Sequence, residues 1–296
     1  MKGKFKIMRS IKFINKAQKV NMGGIFLDQA IPAGPIDQVD PFILIHHWSK
    51  SLPGGQHQRD VGVGPHPHRG FSPVTLIFKG GVHHRDSGGG DSQTFAGGAQ
   101  WMNSGSGIVH SERPLKSIAE NGGEFEIIQL WINVPKSHKM DTPAYFSLQK
   151  EDIPMISYSE NQISTAVIAG EFEGIRGPAQ SVTPMIILRL DGQKSEKVEI
   201  PISKNYNLCL YQLDGEFLIN GMQNSIAKQL TVFHNDGDKI ALECINPGRL
   251  VLLAGEPIQE PVVSYGPFVM NNYHEIQDAI SDYQDGRFGT LIENFN

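Results

Sequence analysis

Four side chains of metal-ligand type occur as two closely spaced pairs in the first half of the chain. His66 and His68 flank Pro67, and His110 and Glu112 are likewise separated by one residue. In an extended strand, residues i and i+2 point to the same face about 6–7 Å apart, so both members of a pair can approach one ion. Pro67 also biases His66 toward the extended backbone that this geometry needs.

The two pairs together would present three imidazoles and one carboxylate to a single ion. Neutral imidazole suits Fe, Ni, Cu and Zn, and the carboxylate favours Fe or Mn. We therefore predict one divalent transition metal, Fe(II), with Mn, Ni, Cu and Zn as alternatives. An octahedral ion held by four ligands keeps two open positions, as a catalytic site requires. Glu112 is also a candidate catalytic base, beside plain ligation.

Other side chains near these pairs have a structural interpretation next to a functional one. His83 and His84 either orient a ligand or are exposed strand histidines. Four aromatic residues either line a cavity or pack in the core: Phe71, Phe78, Trp101 and Trp131. The remaining histidines have no partner at ligand spacing and are excluded from the site: His46, His47, His57, His138, His234 and His274.

The elements that must position the ligands are predicted to be short strands. The 32 glycines and 18 prolines indicate many turns, and apolar or β-branched runs lie between them. The clearest runs are FILIHHW (42–48), PVTLIFK (73–79), EIIQLWINV (126–134), MIILRL (185–190), NLCLYQL (207–213) and RLVLLAG (249–255). This pattern predicts an all-β protein.

One segment near the C-terminus predicts a helix instead. Asn272 followed by Glu275 has the pattern of a capping box, and Gly286 can end the helix. Apolar side chains recur between them at helical spacing: Ile276, Ala279, Ile280 and Tyr283. We expect one amphipathic helix with a structural role.

A faint internal repeat predicts two similar barrels. VTLIF (74–78) parallels CLYQL (209–213) at an offset of 135, and WMNSGSGIVHSE (101–112) parallels VFHNDGDKIALE (232–243) at an offset of 131. We predict an N-terminal barrel in residues 1–135 that holds the metal. The second barrel, residues 136–296, would lack metal and include the helix, which would pack back on the first. At these offsets the four ligands fall on Pro201, Ser203, Ala241 and Glu243.

Composition excludes several classes of protein. Hydrophobic residues make up 39% of the 296 residues, which predicts a packed core. The net charge of −5 gives no general attraction to nucleic acid or anionic lipid. No apolar run reaches the roughly 18 residues of a membrane span, and the N-terminus lacks a signal-peptide core. We expect a cytoplasmic protein in which Cys209 and Cys244 are buried free thiols.

Several motifs resemble those of the pirin family, two-domain members of the cupin superfamily. They are DPF (40–42), HPHRGF (66–71), HRDS (84–87), QWMNSGSGIVHSE (100–112), PVVSYGPFVMN (261–271) and QDGRFG (284–289), and the resemblance covers nearly the whole chain. It implies two cupin, or jelly-roll-like, β-barrels packed together, with a short C-terminal helix. It also implies a metal in the N-terminal barrel, with His66, His68, His110 and Glu112 at the ligand positions.

The resemblance implies a metal-dependent dioxygenase that opens flavonols such as quercetin with O₂ and releases carbon monoxide. An iron-binding, redox-sensing regulatory protein without turnover is the alternative, and a hydrolase or isomerase with the same ligands stays open. The expected partners are a flavonol-like small molecule and O₂, without direct nucleic-acid or membrane binding, in a monomer. His46, His47 and Trp48 stand where pirins usually carry acidic residues and Phe or Met, which leaves the substrate open.

Overall fold

The computed structural model describes residues 7–158, 163–193 and 196–295. Strands dominate these residues, and each of the six predicted runs forms one, which confirms the all-β class. The first strands are β1 (Ile11–Lys16), β2 (Gln18–Met22), β3 (Ile25–Ile31), β4 (Phe42–Leu52), β5 (Val63–His68), β6 (Phe71–Lys79), β7 (Gly81–Asp86), β8 (Asp91–Phe95), β9 (Ala99–Asn103), β10 (Ile108–Pro114), β11 (Gly123–Asn133) and β12 (Ala144–Leu148).

The second half of the chain continues the same pattern. Its strands are β13 (Met155–Tyr158), β14 (Ile163–Ala169), β15 (Glu171–Phe172), β16 (Ile175–Arg176), β17 (Met185–Gly192), β18 (Lys197–Pro201), β19 (Asn207–Ile219), β20 (Gln223–Ile226), β21 (Gln229–Phe233), β22 (Lys239–Gly255), β23 (Val263–Tyr265) and β24 (Phe268–Met270). Two α-helices occur in the described residues, α1 (Lys116–Asn121) and α2 (Tyr273–Gln284), with 3₁₀ turns at Gln58–Asp60, Lys136–His138 and Lys150–Asp152.

The chain forms two compact units that do not follow chain order. One unit contains all four predicted ligands and is called the histidine unit; its described part lies within residues 20–27, 44–152 and 258–296. The described part of the second unit lies within residues 1–19, 28–43 and 153–257. The N-terminal strand β1 therefore pairs with β21, whereas the C-terminal helix belongs to the unit that carries the predicted ligands. A domain boundary at residue 135 stays a prediction.

The histidine unit is built on two sheets. One is four-stranded in the order β5-β10-β7-β8, and the other is seven-stranded in the order β12-β9-β6-β11-β4-β3-β2. Apolar side chains from both sheets meet in one buried cluster that includes Val82 of β7, Ile77 of β6 and Phe125 of β11. This packing fixes the four-stranded sheet, which carries all four predicted ligands on β5 and β10.

The second unit is built on one nine-stranded sheet with a larger apolar core. Its main path runs β1-β21-β19-β22-β17-β14-β13, and β18 and β20 pair with β22 and β19. The 17-residue strand β22 pairs with both β19 and β17, which join it from opposite sides. A continuous cluster of buried aliphatic and aromatic side chains, including Phe217, Leu242 and Leu252, fills the interior.

Helix α2 forms where the capping signal predicts it. The Asn272 side chain accepts a hydrogen bond from the Glu275 N–H at 3.0 Å, and Ile276 and Ala279 are buried. The carboxylate of Glu275 accepts from the N–H of Asn271 at 2.9 Å, one residue before the cap. Helix α1 was missed, because Leu115 precedes it and makes no side-chain capping hydrogen bond.

Two further expectations concern the whole chain. Cys209 and Cys244 are free and buried, as predicted, and burial raises the pKa of both thiols. None of the helices in the described ranges has the length and apolar character needed to cross a membrane. The cytoplasmic location and the monomeric state remain predictions.

The helix cap yields a stability prediction. Asn272→Ala should lower the free energy of unfolding by about 1 kcal/mol, because one helix N–H loses its acceptor. Urea denaturation followed by circular dichroism measures the change. Asn272→Asp keeps an acceptor oxygen and should stay close to the original stability; an Ala variant as stable as the Asp variant would contradict this role.

Candidate metal centre

The ligand pairs lie on neighbouring antiparallel strands. His110 of β10 is directly opposite His66 of β5, so their side chains share one face of the sheet. The ladder slips between His110 and Glu112, where Val63 stands opposite Glu112. The extra residue belongs to β5, because three steps from His66 to Val63 face two steps from His110 to Glu112, and β10 keeps an unbroken register with β7. The alternation along β10 therefore places Glu112 on the same face as His110.

The structure brings three of the four predicted ligands together. One ring nitrogen from each of His66, His68 and His110 lies within 4.8 Å of the other two. The ring centroids are 4.3 Å apart for His66 and His110, 4.7 Å for His66 and His68, and 5.0 Å for His68 and His110. Within the part of the chain that the structure describes, no other group of three His, Cys, Asp or Glu meets this distance.

The hydrogen bonds of the cluster leave nitrogen lone pairs for a cation. His66 Nδ1 donates to the carbonyl of Gly64 at 2.8 Å, and His68 Nδ1 donates to that of Pro267 at 3.2 Å. A carbonyl can only accept, so each Nε2 is the bare nitrogen. Both ring nitrogens of His110 are buried without a hydrogen-bond partner among the described residues. Such orphaned atoms cost about 1–3 kcal/mol each. A bound cation would take the lone pair of one of these nitrogens and remove that part of the cost, so the cluster fits a metal ion.

The histidines are neutral at neutral pH, as ligands must be. Burial lowers the pKa of His68 and His110 well below the ordinary value, and the charges of neighbouring histidines lower it further. Burial also lowers the pKa of His66, although the hydrogen bond to Gly64 and the charge of Glu112 partly oppose the effect. The proton that would compete with a metal is therefore weakly held.

Glu112 lies beside the cluster but outside the 4.8 Å group. Its Oε1 accepts a 2.5 Å hydrogen bond from the Thr75 hydroxyl, which in turn accepts from Gln129 Nε2 at 3.3 Å. The carboxylate also lines a cavity of about 30 Å³ together with Gln129 and several apolar side chains. Its role as fourth ligand therefore remains a prediction, and the hydrogen bonds show how its orientation is set.

Two of the four candidate aromatic residues lie against the cluster. The rings of Phe71 and Trp131 are 5.0 and 5.4 Å from that of His68 and 4.4 Å from each other. Trp101 is buried, and its Nε1 donates to Asn103 at 3.0 Å, so it belongs to the core. Phe78 is only half-buried.

His84 packs between the histidine cluster and Tyr145. Its ring stacks on Tyr145 at 3.7 Å and lies 5.4 Å from the ring of His110. Its Nε2 is 2.8 Å from Asp86, while His83 Nε2 is 2.6 Å from Asp91. Both histidines are buried, so the interpretation as exposed strand residues was wrong.

His46 is the residue that sequence reasoning missed. It lines the same cavity as Glu112, and burial lowers its pKa to about 4. The period of two along β4 was the available signal, since it places His46 on one face with Trp48, which lines the cavity too. His47 points elsewhere and pairs with the buried Glu126 at 3.1 Å.

Comparison with known proteins identifies the family. The Pirin family model matches residues 25–132, and the Pirin C-terminal cupin domain matches residues 187–289. The chain belongs to the pirin family. It is similar to Pirin-1 of Arabidopsis thaliana (37% identity, 86% of each chain) and to pirin of Rattus norvegicus (35% identity, 90% of this chain and 88% of that one). It is also similar to the solved quercetin 2,3-dioxygenase of Acinetobacter baumannii, with a TM-score of 0.91 and 31% identity over 97% of this chain and 100% of that one.

Membership in the pirin family confirms the two cupin domains. The strand pairing that holds the histidines can therefore be compared with a strand pairing in the second unit. Ile240 of β22 stands directly opposite Ile200 of β18, as His110 stands opposite His66. Ile200 and Ile240, like Ile202 and Leu242, are buried in the apolar core. Among the predicted equivalents, Pro201 pairs with Lys239 and Ala241 pairs with Glu199, so Pro201 and Ala241 do not stand opposite each other as His66 and His110 do. The two predicted offsets are therefore not consistent with this strand pairing.

The cluster predicts the metal content of the protein. After loading with Fe(II) or Co(II) and removal of free ion, the chain should retain about one ion, because the described residues contain no second group of three His, Cys, Asp or Glu side chains at this distance. His110→Ala should reduce retention below about a tenth of that value, and His274→Ala, an exposed control, should not. Mass spectrometry of the metal measures both. Retention of about two ions per chain would contradict the assignment.

The buried neutral histidines also predict a pH dependence of stability. The pKa is near 6.5 in the unfolded chain and lowered in the folded chain, so the unfolded state binds more protons between these values. The metal-free protein should therefore lose stability as the pH falls from 7 to 5, by up to about 1.4 kcal/mol per pH unit for each such histidine. Urea denaturation at pH 7, 6 and 5 measures this slope. His110→Asn should flatten it, and an unchanged slope would be evidence against this explanation.

Proposed function

We propose that this member of the pirin family is a metal-dependent dioxygenase that opens the ring of a flavonol such as quercetin with O₂ and releases carbon monoxide. The observation that carries the proposal is that two adjacent strands supply three histidines with bare nitrogens and a carboxylate that faces an apolar cavity. The similarity to the quercetin 2,3-dioxygenase of Acinetobacter baumannii, which spans nearly the whole chain, supports the same reaction class.

The proposed cofactor is one Fe(II) ion held by His66, His68, His110 and Glu112. Three imidazoles and one carboxylate suit this ion and leave room for other ligands. When bound, the ion would supply a redox-active Lewis acid to the substrate and O₂. The side chains around it provide the orientation: the carbonyls of Gly64 and Pro267 fix the tautomers of the two β5 histidines.

Glu112 is the proposed base for the flavonol hydroxyl. Thr75 holds Oε1, and Gln129 holds Thr75, so the carboxylate is presented to the cavity in one orientation. A carboxylate in this position can accept the proton of a hydroxyl that enters the cavity. His46 lines the same space, and its pKa of about 4 keeps it neutral, so it can exchange hydrogen bonds with a flavonol oxygen without adding charge.

The lining of the cavity favours an apolar molecule. Its walls include Ile25, Val63 and Phe125. Its volume of about 30 Å³ is well below the roughly 300 Å³ or more of typical ligand pockets. Substrate binding therefore requires side chains around the cavity to move, and Met22, which lines it and is 41% exposed, is placed to do so.

Turnover of quercetin by the metal-loaded protein tests the proposal. Loss of the flavonol absorption band should be accompanied by one carbon monoxide per flavonol, measured by gas chromatography. His68→Ala should abolish turnover, because the ion loses a ligand, and His274→Ala should retain it. Absence of carbon monoxide from a sample shown to be fully loaded with iron would contradict the flavonol assignment.

A further inference from the structure

The C-terminal tail of the chain covers the outer face of the ligand sheet. Along β7 and β10, side chains alternate between the two faces of the sheet. Arg85 and Arg113 therefore lie on one face, and His84 and Glu112 lie on the other. The tail residues Glu293 and Phe295 contact these arginines. The face that carries the ligands is thus backed by residues more than 180 positions later in the chain.

Glu293 forms a two-pronged ion pair with Arg113. Arg113 Nε donates to Oε1 at 2.6 Å, and Nη2 donates to Oε2 at 2.7 Å. The exposed fraction is only 6–7% for both side chains, and Arg85 Nη1 lies 4.0 Å from the same carboxylate. Burial alone would raise the pKa of the Glu293 carboxyl, but the hydrogen bonds and charges of its partners outweigh it and lower the pKa. Paired geometry of this kind is the strongest form of an arginine–carboxylate contact.

Phe295 completes the tail contact with its ring. The guanidinium carbons of Arg59, Arg85 and Arg113 lie 5.1, 5.0 and 5.6 Å from the ring centroid, and the His57 ring lies 5.4 Å away. The three arginine distances are within the roughly 6 Å range of cation–π attraction, and the His57 ring makes an edge-to-face contact. The three arginines surround the Phe295 ring, and two of them, Arg85 and Arg113, also lie beside the Glu293 carboxylate; this group is called the three-arginine cleft.

Arg113 connects this cleft to the metal ligands. Its Nη1 donates to the carbonyls of Arg59 at 2.5 Å and Val61 at 3.0 Å, which lead directly into β5. A β-carbon on Gly64 would lie only 3.0 Å from Nη2, and the Gly64 carbonyl holds His66 Nδ1 at 2.8 Å. Arg113 thus holds the start of β5, which contains the bulge.

We propose that Glu293 and Phe295 are positioning residues of the metal centre, and that tail docking in the three-arginine cleft and metal binding strengthen each other. The proposal rests on the proposed metal centre. The tail keeps Arg113 paired and in place, and Arg113 keeps β5 in the register that sets His66 opposite His110. Without the tail, the buried Arg113 loses the carboxylate of Glu293, and its contacts with the start of β5 become less well ordered.

Titration with Co(II) tests the coupling without any turnover. Glu293→Gln, Phe295→Ala and truncation after Leu291 should each weaken Co(II) binding by about 10- to 100-fold, the usual effect of losing a residue that orients metal ligands. Glu124→Gln removes an exposed ion pair with Lys79 in the same unit and should bind like the original protein. The cobalt absorption spectrum reports ligand geometry, and circular dichroism identifies any variant that is not folded.

A peptide supplied in trans gives a second, independent readout. A peptide with the sequence of residues 290–296 should bind the truncated protein, restore its Co(II) affinity, and bind more tightly with Co(II) present by the same factor, because coupling between two sites is reciprocal. The peptide with Gln in place of Glu293 should do neither.

The outcomes separate the two proposals. If the original protein does not bind Co(II), the metal centre is wrong. If it binds Co(II) and the folded tail variants bind equally well, the metal centre stands and the role of the tail is overturned. Restoration by the Gln peptide would also overturn it, since the carboxylate would then be dispensable.

Discussion

The antiparallel pairing of β5 with β10 is the constraint on which the site depends. It sets His66 opposite His110, and the period of two along β5 adds His68 on the same face. Three imidazoles that converge in a buried place create a cost, because two nitrogens of His110 have no hydrogen-bond partner among the described residues. A bound cation is the simplest compensation, and the backbone carbonyls that accept from the other two rings already orient them for it.

The second unit contains a similar antiparallel strand pair without a buried histidine cluster. Ile200 and Ile240 stand opposite each other on β18 and β22, and the interior there is a continuous apolar core. The interior of the second unit therefore contributes apolar packing to stability, whereas part of the interior of the histidine unit is occupied by a polar cluster. The histidine unit has other stabilising contacts, among them the two hydrogen bonds from Arg113 to Glu293 of the C-terminal tail.

Local patterns predicted the parts of the site that depend on local geometry. The spacing of His66 and His68, the strands that carry them and the cap at Asn272 follow from backbone period and hydrogen bonding over a few residues. The two repeat offsets were not consistent with the pairing of β18 and β22, since a weak match between distant segments cannot distinguish the two faces of a strand. The bulge in β5 and the contact of Glu293 with Arg113 depend on pairings between distant segments, which no short motif encodes.

The most direct test of the central claim is anomalous X-ray scattering from crystals of the iron-loaded protein, measured above and below the iron edge. One anomalous peak per chain is expected, about 2.0–2.2 Å from a ring nitrogen of each of His66, His68 and His110. A peak elsewhere, or a loaded protein whose iron touches fewer than three of these histidines, would contradict the claim.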